Sequence, residues 1–157
     1  YKGVQNLKIN SGLTGRFEKI SDSPKIITDI SHNFQGIKNI KGNLEYFKYN
    51  KLFIVFSMMK DKHYKECISE IGKLKAEIIL TGIEYSRAAS PEELFSSVSK
   101  HKSKFITADN VYEALKYVKD KAGKNDLVLI TGSFFLVSEV LMTLKNVSKS
   151  VNIIKNK

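Results

Sequence analysis

The sequence predicts an α/β domain of three layers, in which a mainly parallel sheet is covered by helices on both faces and carries one antiparallel strand at its edge. Three observations lead there. Short apolar, β-branched runs at 25–30, 52–56, 77–81, 104–107 and 126–131 alternate with stretches whose apolar residues recur at helical spacing. Strands separated by helical segments of about ten residues imply right-handed crossovers, and such crossovers set neighbouring strands parallel. The first two runs, 16–20 and 25–30, are separated only by Ser21-Asp22-Ser23-Pro24. Asp and Ser there bond their own backbone and Pro fixes φ, so these two strands form an antiparallel pair.

In chain order, residues 2–8 read as the end of a helix, and 10–15, with two glycines and a serine, as a loop or linker. The strand at 25–30 is the stretch the chain is organised around, because its apolar run stops on Asp29, His32 and Asn33. Ile37, Ile40, Leu44 and Phe47 then mark an amphipathic helix. A buried strand at 52–56 is followed by 58–62, which turns into a helix carrying Tyr64, Cys67, Ile68, Ile71 and Leu74 on one stripe. After the strand at 77–81, Ser90-Pro91-Glu92-Glu93 has the form of a helix start, with a Ser cap, Pro at the first helical position and Glu three residues after the cap. A short strand at 104–107 precedes a helix capped by Asp109 or Asn110 and running to 121. The most apolar strand, 126–131, leads into a helix at 134–144. The expected organisation is a linker at 1–15, one domain at 16–146 and a frayed tail at 147–157.

Composition bounds the function. The 157 residues are 42% hydrophobic and 27% charged, ordinary for a soluble globular domain. The longest apolar run, 127–138, is interrupted by Thr-Gly-Ser and falls short of the roughly 20 residues of a membrane span. The chain begins at Tyr1 without a basic-then-apolar leader, so the expectation is a cytoplasmic protein with no signal peptide, excised from something longer. Cys67 is the only cysteine, which leaves no disulfide framework within the chain. It reads as a buried apolar filler, with a reactive thiol as the alternative. A net charge of +10 suggests an anionic partner such as nucleic acid. All but two of the 26 basic residues are lysines scattered along the chain, however, and solvated helix faces explain them without any nucleic acid. The two arginines, Arg16 and Arg87, therefore carry information: a lysine serves for surface charge but cannot offer a planar fork of donors to phosphate or carboxylate.

Neither GxxxxGK[ST] nor GxGxxG occurs among the nine glycines. His32, His63 and His101 lack metal-site spacing, so no metal is expected to be held by this domain alone. Asp29 and His32 sit at a strand tip, where open α/β sheets bind ligands; hydrogen bonds that merely fix the loop are the other reading. A polar group at such a tip is expected to contribute little to core packing. Ser133, between a strand end and a helix, is a helix cap or a group held near a ligand.

Five segments in register, Gly15-Arg16-Phe17-Glu18, Asp29-Ile30-Ser31-His32-Asn33, Ile54 through Lys62, Ser86-Arg87-Ala88-Ala89-Ser90 and Asp126 through Val137, resemble the carboxy-terminal domain of folylpolyglutamate synthase/dihydrofolate synthase, in the Mur ligase superfamily. The resemblance implies a Rossmann-like domain that closes over a preceding domain, which carries the phosphate loop and the magnesium ligands. It also implies an ATP-dependent amide ligase. ATP phosphorylates the terminal carboxylate of a folate or dihydropteroate, and the amino group of L-glutamate displaces phosphate. By the same resemblance, Arg16 and Asp29 match nucleotide contacts and His32 and Asp29 catalytic positions. His32, Asn33, Arg87 and Ser133 match the substrate side. The fragment alone is expected to be inactive, the enzyme a monomer, and ATP and Mg2+ its cofactors. The pattern departs from the family at Ile30, Ser31, Phe34 and Phe135, which bears on the shape of the glutamate pocket. A cell-wall amino-acid ligase of the same superfamily and a non-catalytic lysine-rich nucleic-acid module are the alternatives.

Overall fold

The computed structural model describes residues 16–98 and 103–155. The helix expected at 2–8, the linker at 10–15 and His101 lie outside them. Six strands form one sheet: β1 (Glu18–Asp22), β2 (Lys25–Thr28), β3 (Leu52–Phe56), β4 (Glu77–Thr81), β5 (Lys104–Ala108) and β6 (Leu127–Thr131). Five helices connect or follow them: α1 (Phe34–Leu44), α2 (Tyr64–Ile71), α3 (Pro91–Phe95), α4 (Val111–Lys121) and α5 (Phe134–Lys155). The order across the sheet is β1-β2-β6-β3-β4-β5, with only the β1/β2 pair antiparallel. The predicted α/β class and its antiparallel edge are what the chain adopts.

Strand alternation sorts the apolar residues into two cores. Ile54, Phe56, Ile78, Leu80 and Leu129 face α1, α2 and α3, which contribute Ile37, Ile40, Cys67, Ile68 and Leu94. Phe53, Val55, Ile79, Val128 and Ile130 face α4 and α5, which contribute Val111, Ala114, Val118, Leu136 and Val137. The connections that step outward from β3 to β5 put their helices on one face, and the return to β6 puts α4 on the other. Right-handed crossovers produce this arrangement. Both central strands, β3 and β6, are buried along their whole length, which is why they read as unbroken apolar runs rather than alternating ones. Cys67 is buried, and burial pushes its thiol up to about 12, so it is the apolar filler rather than a nucleophile.

Several boundaries differ from the sequence-based ones. The first strand runs Glu18–Asp22 instead of 16–20, because Arg16 and Phe17 bend toward Asp29 and only Ser23-Pro24 forms the turn. The second stops at Thr28, and Asp29 adds one further backbone bond to Ile130 (2.9 Å). Phe47 packs against the core from beyond the end of α1. The 58–62 segment makes a bridge between Met59 and Ala88 before α2 begins at Tyr64. The last helix continues through Lys155, since the sequence after Leu144 contains neither Gly nor Pro to stop it. The Ser90 capping box forms as predicted: Ser90 Oγ accepts from the Glu93 N–H, and the Glu93 carboxylate accepts from the Ser90 N–H.

The tight junction after β6 depends on Gly132, whose φ is +114°. A Cβ there would lie 2.5 Å from the Ser57 carbonyl oxygen and 2.7 Å from Phe56 Cε2. Gly132→Ala combines a disfavoured backbone conformation with overpacking against a central strand, and the expected loss of stability is on the order of 3 kcal/mol. Urea unfolding of the two proteins checks this; equal midpoints would contradict the geometry.

Candidate functional site

The carboxyl ends of β2, β6, β3 and β4 lie along one edge of the sheet, and β1, being antiparallel, begins there. Because β6 returns between β2 and β3, the edge has a topological switch point, the place where open α/β sheets leave a crevice for ligands. An open cleft of about 1080 Å³ occupies this place on the α1 side, lined by Arg16, Phe17, Asp29, His32, Asn33 and Lys38 among others.

Asp29 is its anchor. Although it ends a strand at the sheet edge, only 3% of it is exposed. Its Oδ1 accepts from the Ser31 N–H (3.0 Å) and from the Thr131 hydroxyl (3.5 Å), and its Oδ2 accepts from the Phe17 N–H (3.3 Å). One carboxylate thus ties the start of β1, the tip of β2 and the tip of β6. Phe17 has φ +44°, a left-handed conformation unusual for a bulky residue, and its ring stacks against Phe47 at 6.2 Å. That bend brings the preceding Arg16 to the mouth of the cleft. Arg16 is exposed and makes no ion pair among the described residues.

His32 and Asn33 are exposed next to Asp29. The His32 Nδ1 lies 3.1 Å from the Ile30 carbonyl, so in the neutral ring Nδ1 carries the proton and Nε2 keeps a free lone pair. Asn33 caps α1, its Oδ1 accepting from the Gly36 N–H at 2.8 Å, and its NH2 remains available. The cleft brings together a guanidinium with no ion pair among the described residues, a ring nitrogen able to accept a proton, and amide donors, on a scaffold fixed by a buried carboxylate.

Of the six predicted site residues, the structure gathers Arg16, Asp29, His32 and Asn33 around this cleft. Arg87 lies on the loop after β4, three strands from β2, roughly 14 Å at ordinary strand spacing. Its Nη2 donates to Asp61 Oδ2 at 2.8 Å. A second ion pair, Lys60 to Glu93 at 3.1 Å, joins the loop after β3 to the cap of α3. The Ser90 N–H and Lys60 hold the Glu93 carboxyl below the usual range. Ser133 is buried at the start of α5, where its Oγ accepts from the Leu136 N–H at 3.1 Å, the capping geometry that was one of its two readings. Sequence reasoning missed Phe17, Thr131 and Asp61. A positive φ and a contact across 102 residues leave no local signal, and Asp61 was hidden inside a lysine run. Asp29 also differs from the expectation that tip groups matter little to stability, because it is buried and holds three donors.

Asp29→Ala should therefore lower stability by roughly 2–4 kcal/mol, since it strands the Phe17 and Ser31 N–H groups, while Asp29→Asn, which keeps one acceptor, should cost about half as much. Chemical denaturation of the three proteins tests the order; an alanine variant as stable as the parent would remove Asp29 from its structural role.

Comparison with known proteins supplies independent findings. The family described as Mur ligase, glutamate ligase domain, matches residues 15–134. The dihydrofolate synthase/folylpolyglutamate synthase of Bacillus subtilis is 28% identical over 149 residues, covering 90% of this chain and 34% of that protein. Its counterpart from Buchnera aphidicola subsp. Baizongia pistaciae is 32% identical over 143 residues, covering 90% and 33%. Among solved structures, E. coli FolC in complex with DHPP and ADP superposes with a TM-score of 0.77 at 25% identity, covering 85% of this chain and 32% of that one. The chain spans about a third of the length of each of these relatives.

Proposed function

Because the chain belongs to the Mur ligase glutamate ligase domain family, we propose that it is the carboxy-terminal domain of an ATP-dependent ligase that joins L-glutamate to a folate or to dihydropteroate. The observation that carries the reading is the cleft itself: an exposed arginine, an oriented imidazole and a fixed carboxylate meet at the switch point of the sheet. The E. coli relative's structure, described with ADP and DHPP, supports a nucleotide and a pteroate as ligands of the whole enzyme.

In the proposed reaction the γ-phosphoryl group passes from ATP to the substrate carboxylate, leaving ADP and an acyl phosphate. The glutamate nitrogen then attacks the acyl carbon, the C–O bond to phosphate breaks, and a proton leaves the nitrogen. This domain's part is to bind and orient. Arg16 offers its fork to phosphate oxygens, stabilising charge that spreads over them during transfer. His32, through Nε2, is suited to take the proton from the attacking amine. Asn33 retains NH2 donors for the substrate side. Magnesium does not fit here: among the described residues no three acidic, His or Cys side chains are grouped to hold a metal, and both Asp29 oxygens already accept from protein donors. A preceding domain with a phosphate loop would supply both the metal and the triphosphate cradle.

Two measurements test the reading. The 157-residue chain mixed with ATP, magnesium, a folate and glutamate should release no phosphate, because nothing in its sequence cradles a triphosphate; steady turnover by the chain alone would overturn the division of labour. In the full-length enzyme, Arg16→Lys keeps the charge and loses the fork, so activity should fall roughly tenfold or more with unfolding unchanged. A lower kcat would put Arg16 on the transferring group, a higher KM for ATP would put it on bound nucleotide, and parental values of both would remove it from the site.

A further inference from the structure

We propose that the edge of the sheet opposite the cleft is a binding furrow for a linear polyphosphate, held by a row of lysines at the strand starts. Scattered in sequence, these lysines are gathered by the fold. Lys25 and Lys104 begin β2 and β5, Lys51 immediately precedes β3, and Lys75 and Lys124 stand two and three residues before β4 and β6. Every strand of the parallel part of the sheet thus starts beside a lysine. In spatial order they run Lys25, Lys124, Lys51, Lys75, Lys104, across four strand spacings or about 19 Å.

Two open clefts, of about 820 and 410 Å³, run along this edge and share Lys48, Tyr49 and Asn50, so they form one furrow. Its charge is not balanced from within. Of the acids that line it, Glu77 accepts from Lys104 at 3.0 Å and from the Tyr117 hydroxyl, Asp126 accepts from the Lys51 N–H (3.0 Å) and the Gly123 N–H (2.8 Å), and Asp22 pairs with Lys19 at 2.6 Å. Glu45 is the remaining acid. Against it, Lys41, Lys48, Lys51, Lys75 and Lys124 are exposed and make no ion pair among the described residues. General lysine richness does not explain this, because the groove beside β5 carries Asp109, Glu113 and Asp120 against Lys116. The carboxyl end of a helix attracts a cation, which accounts for Lys41 in the last turn of α1 and Lys73 just past α2. The lysines at the strand starts have no such reason, and like charges on adjacent strands repel.

A row of cations this long matches an extended anion rather than a compact one. Ammonium groups act on phosphate as point charges, whereas close pairing with carboxylates favours the planar fork of arginine, and Arg16 and Arg87 both lie at the other edge. A nucleic-acid strand would also need surfaces for its bases, normally a succession of aromatic rings. Among the residues lining the furrow Tyr49, 37% exposed, is the one open ring: Phe53 is buried, and Phe47 is covered by Phe17 at 6.2 Å and by the Lys25 ammonium at 5.7 Å. Charge without a stacking platform selects a chain of phosphates alone.

The test titrates inorganic polyphosphate onto the full-length enzyme, beside orthophosphate, a single-stranded oligonucleotide and a polyglutamate peptide. The parent's affinity for polyphosphate should fall steeply with added salt, and the variant Lys48→Gln/Lys51→Gln/Lys124→Gln should weaken it on the order of tenfold or more. A control that removes the same charge from α2 and α4, Lys65→Gln/Lys116→Gln/Lys119→Gln, should change it by less than about twofold. The furrow variant should melt at or above the parental temperature, because it relieves repulsion. A lower melting temperature would mean that the lysines serve the fold, and equal losses in both variants would reduce the effect to net charge; either overturns the proposal. So would no binding, orthophosphate held as tightly as the chain, or tighter binding of the oligonucleotide or the peptide. None of these outcomes bears on the ligase reading, whose residues lie at the opposite edge of the sheet.

Discussion

One buried carboxylate holds the functional edge of the sheet together. Asp29 accepts from the Phe17 and Ser31 N–H groups and from the Thr131 hydroxyl, and so joins segments 12, 2 and 102 residues away in the chain. Without these bonds, two part-buried N–H groups beside the cleft would lose their protein acceptor, a cost of up to about a lost hydrogen bond each. The left-handed Phe17 is tolerable only because the bond to Asp29 and the stack on Phe47 over-determine it. Strain at Phe17 and burial of Asp29 are thus two sides of one arrangement, and its product is the position of Arg16.

The return of β6 into the middle of the sheet divides the edge into two compartments. On the α1 side lies the open cleft with its arginine and imidazole. On the α5 side, Tyr85 stacks on Phe135 at the start of the helix. Gly132 follows β6, and its missing side chain lets the chain pass close to the Ser57 carbonyl and the Phe56 ring at the end of β3. Arg87 and Lys60 belong to neither compartment directly: their bonds to Asp61 and Glu93 lock the loops after β3 and β4 to each other and to α3.

The fold was legible because its cues are local. Apolar runs, helical stripes and the Ser90 capping box each announce themselves within about ten residues, and right-handed crossovers leave few ways to assemble them. Boundaries were less legible where tertiary contacts decide them: β1 begins late because Phe17 is drawn to Asp29, and α5 runs on because nothing stops it. At the site, strand-tip reasoning brought Arg16, Asp29, His32 and Asn33 to one cleft. It offered helix capping for Ser133, whose oxygen does take a helix N–H, but could not tell that Arg87 has a carboxylate partner from a different loop.

The two arginines show how composition and geometry combine. In a chain where lysine supplies nearly all positive charge, both arginines sit on the same edge of the sheet, yet in different surroundings. Arg87 donates to Asp61 and so links the loop after β4 to the loop after β3. Arg16 has no ion pair among the described residues and projects from a backbone bend that Asp29 fixes. A flexible lysine at that position would have to lose much of its rotamer freedom on meeting an anion, whereas the planar fork loses less per hydrogen bond formed. Because the bend is already set, the remaining cost of ordering falls on the side chain alone, and an arginine minimises it. The left-handed Phe17 and the rare arginine before it are therefore parts of one arrangement, held by a carboxylate buried in the protein.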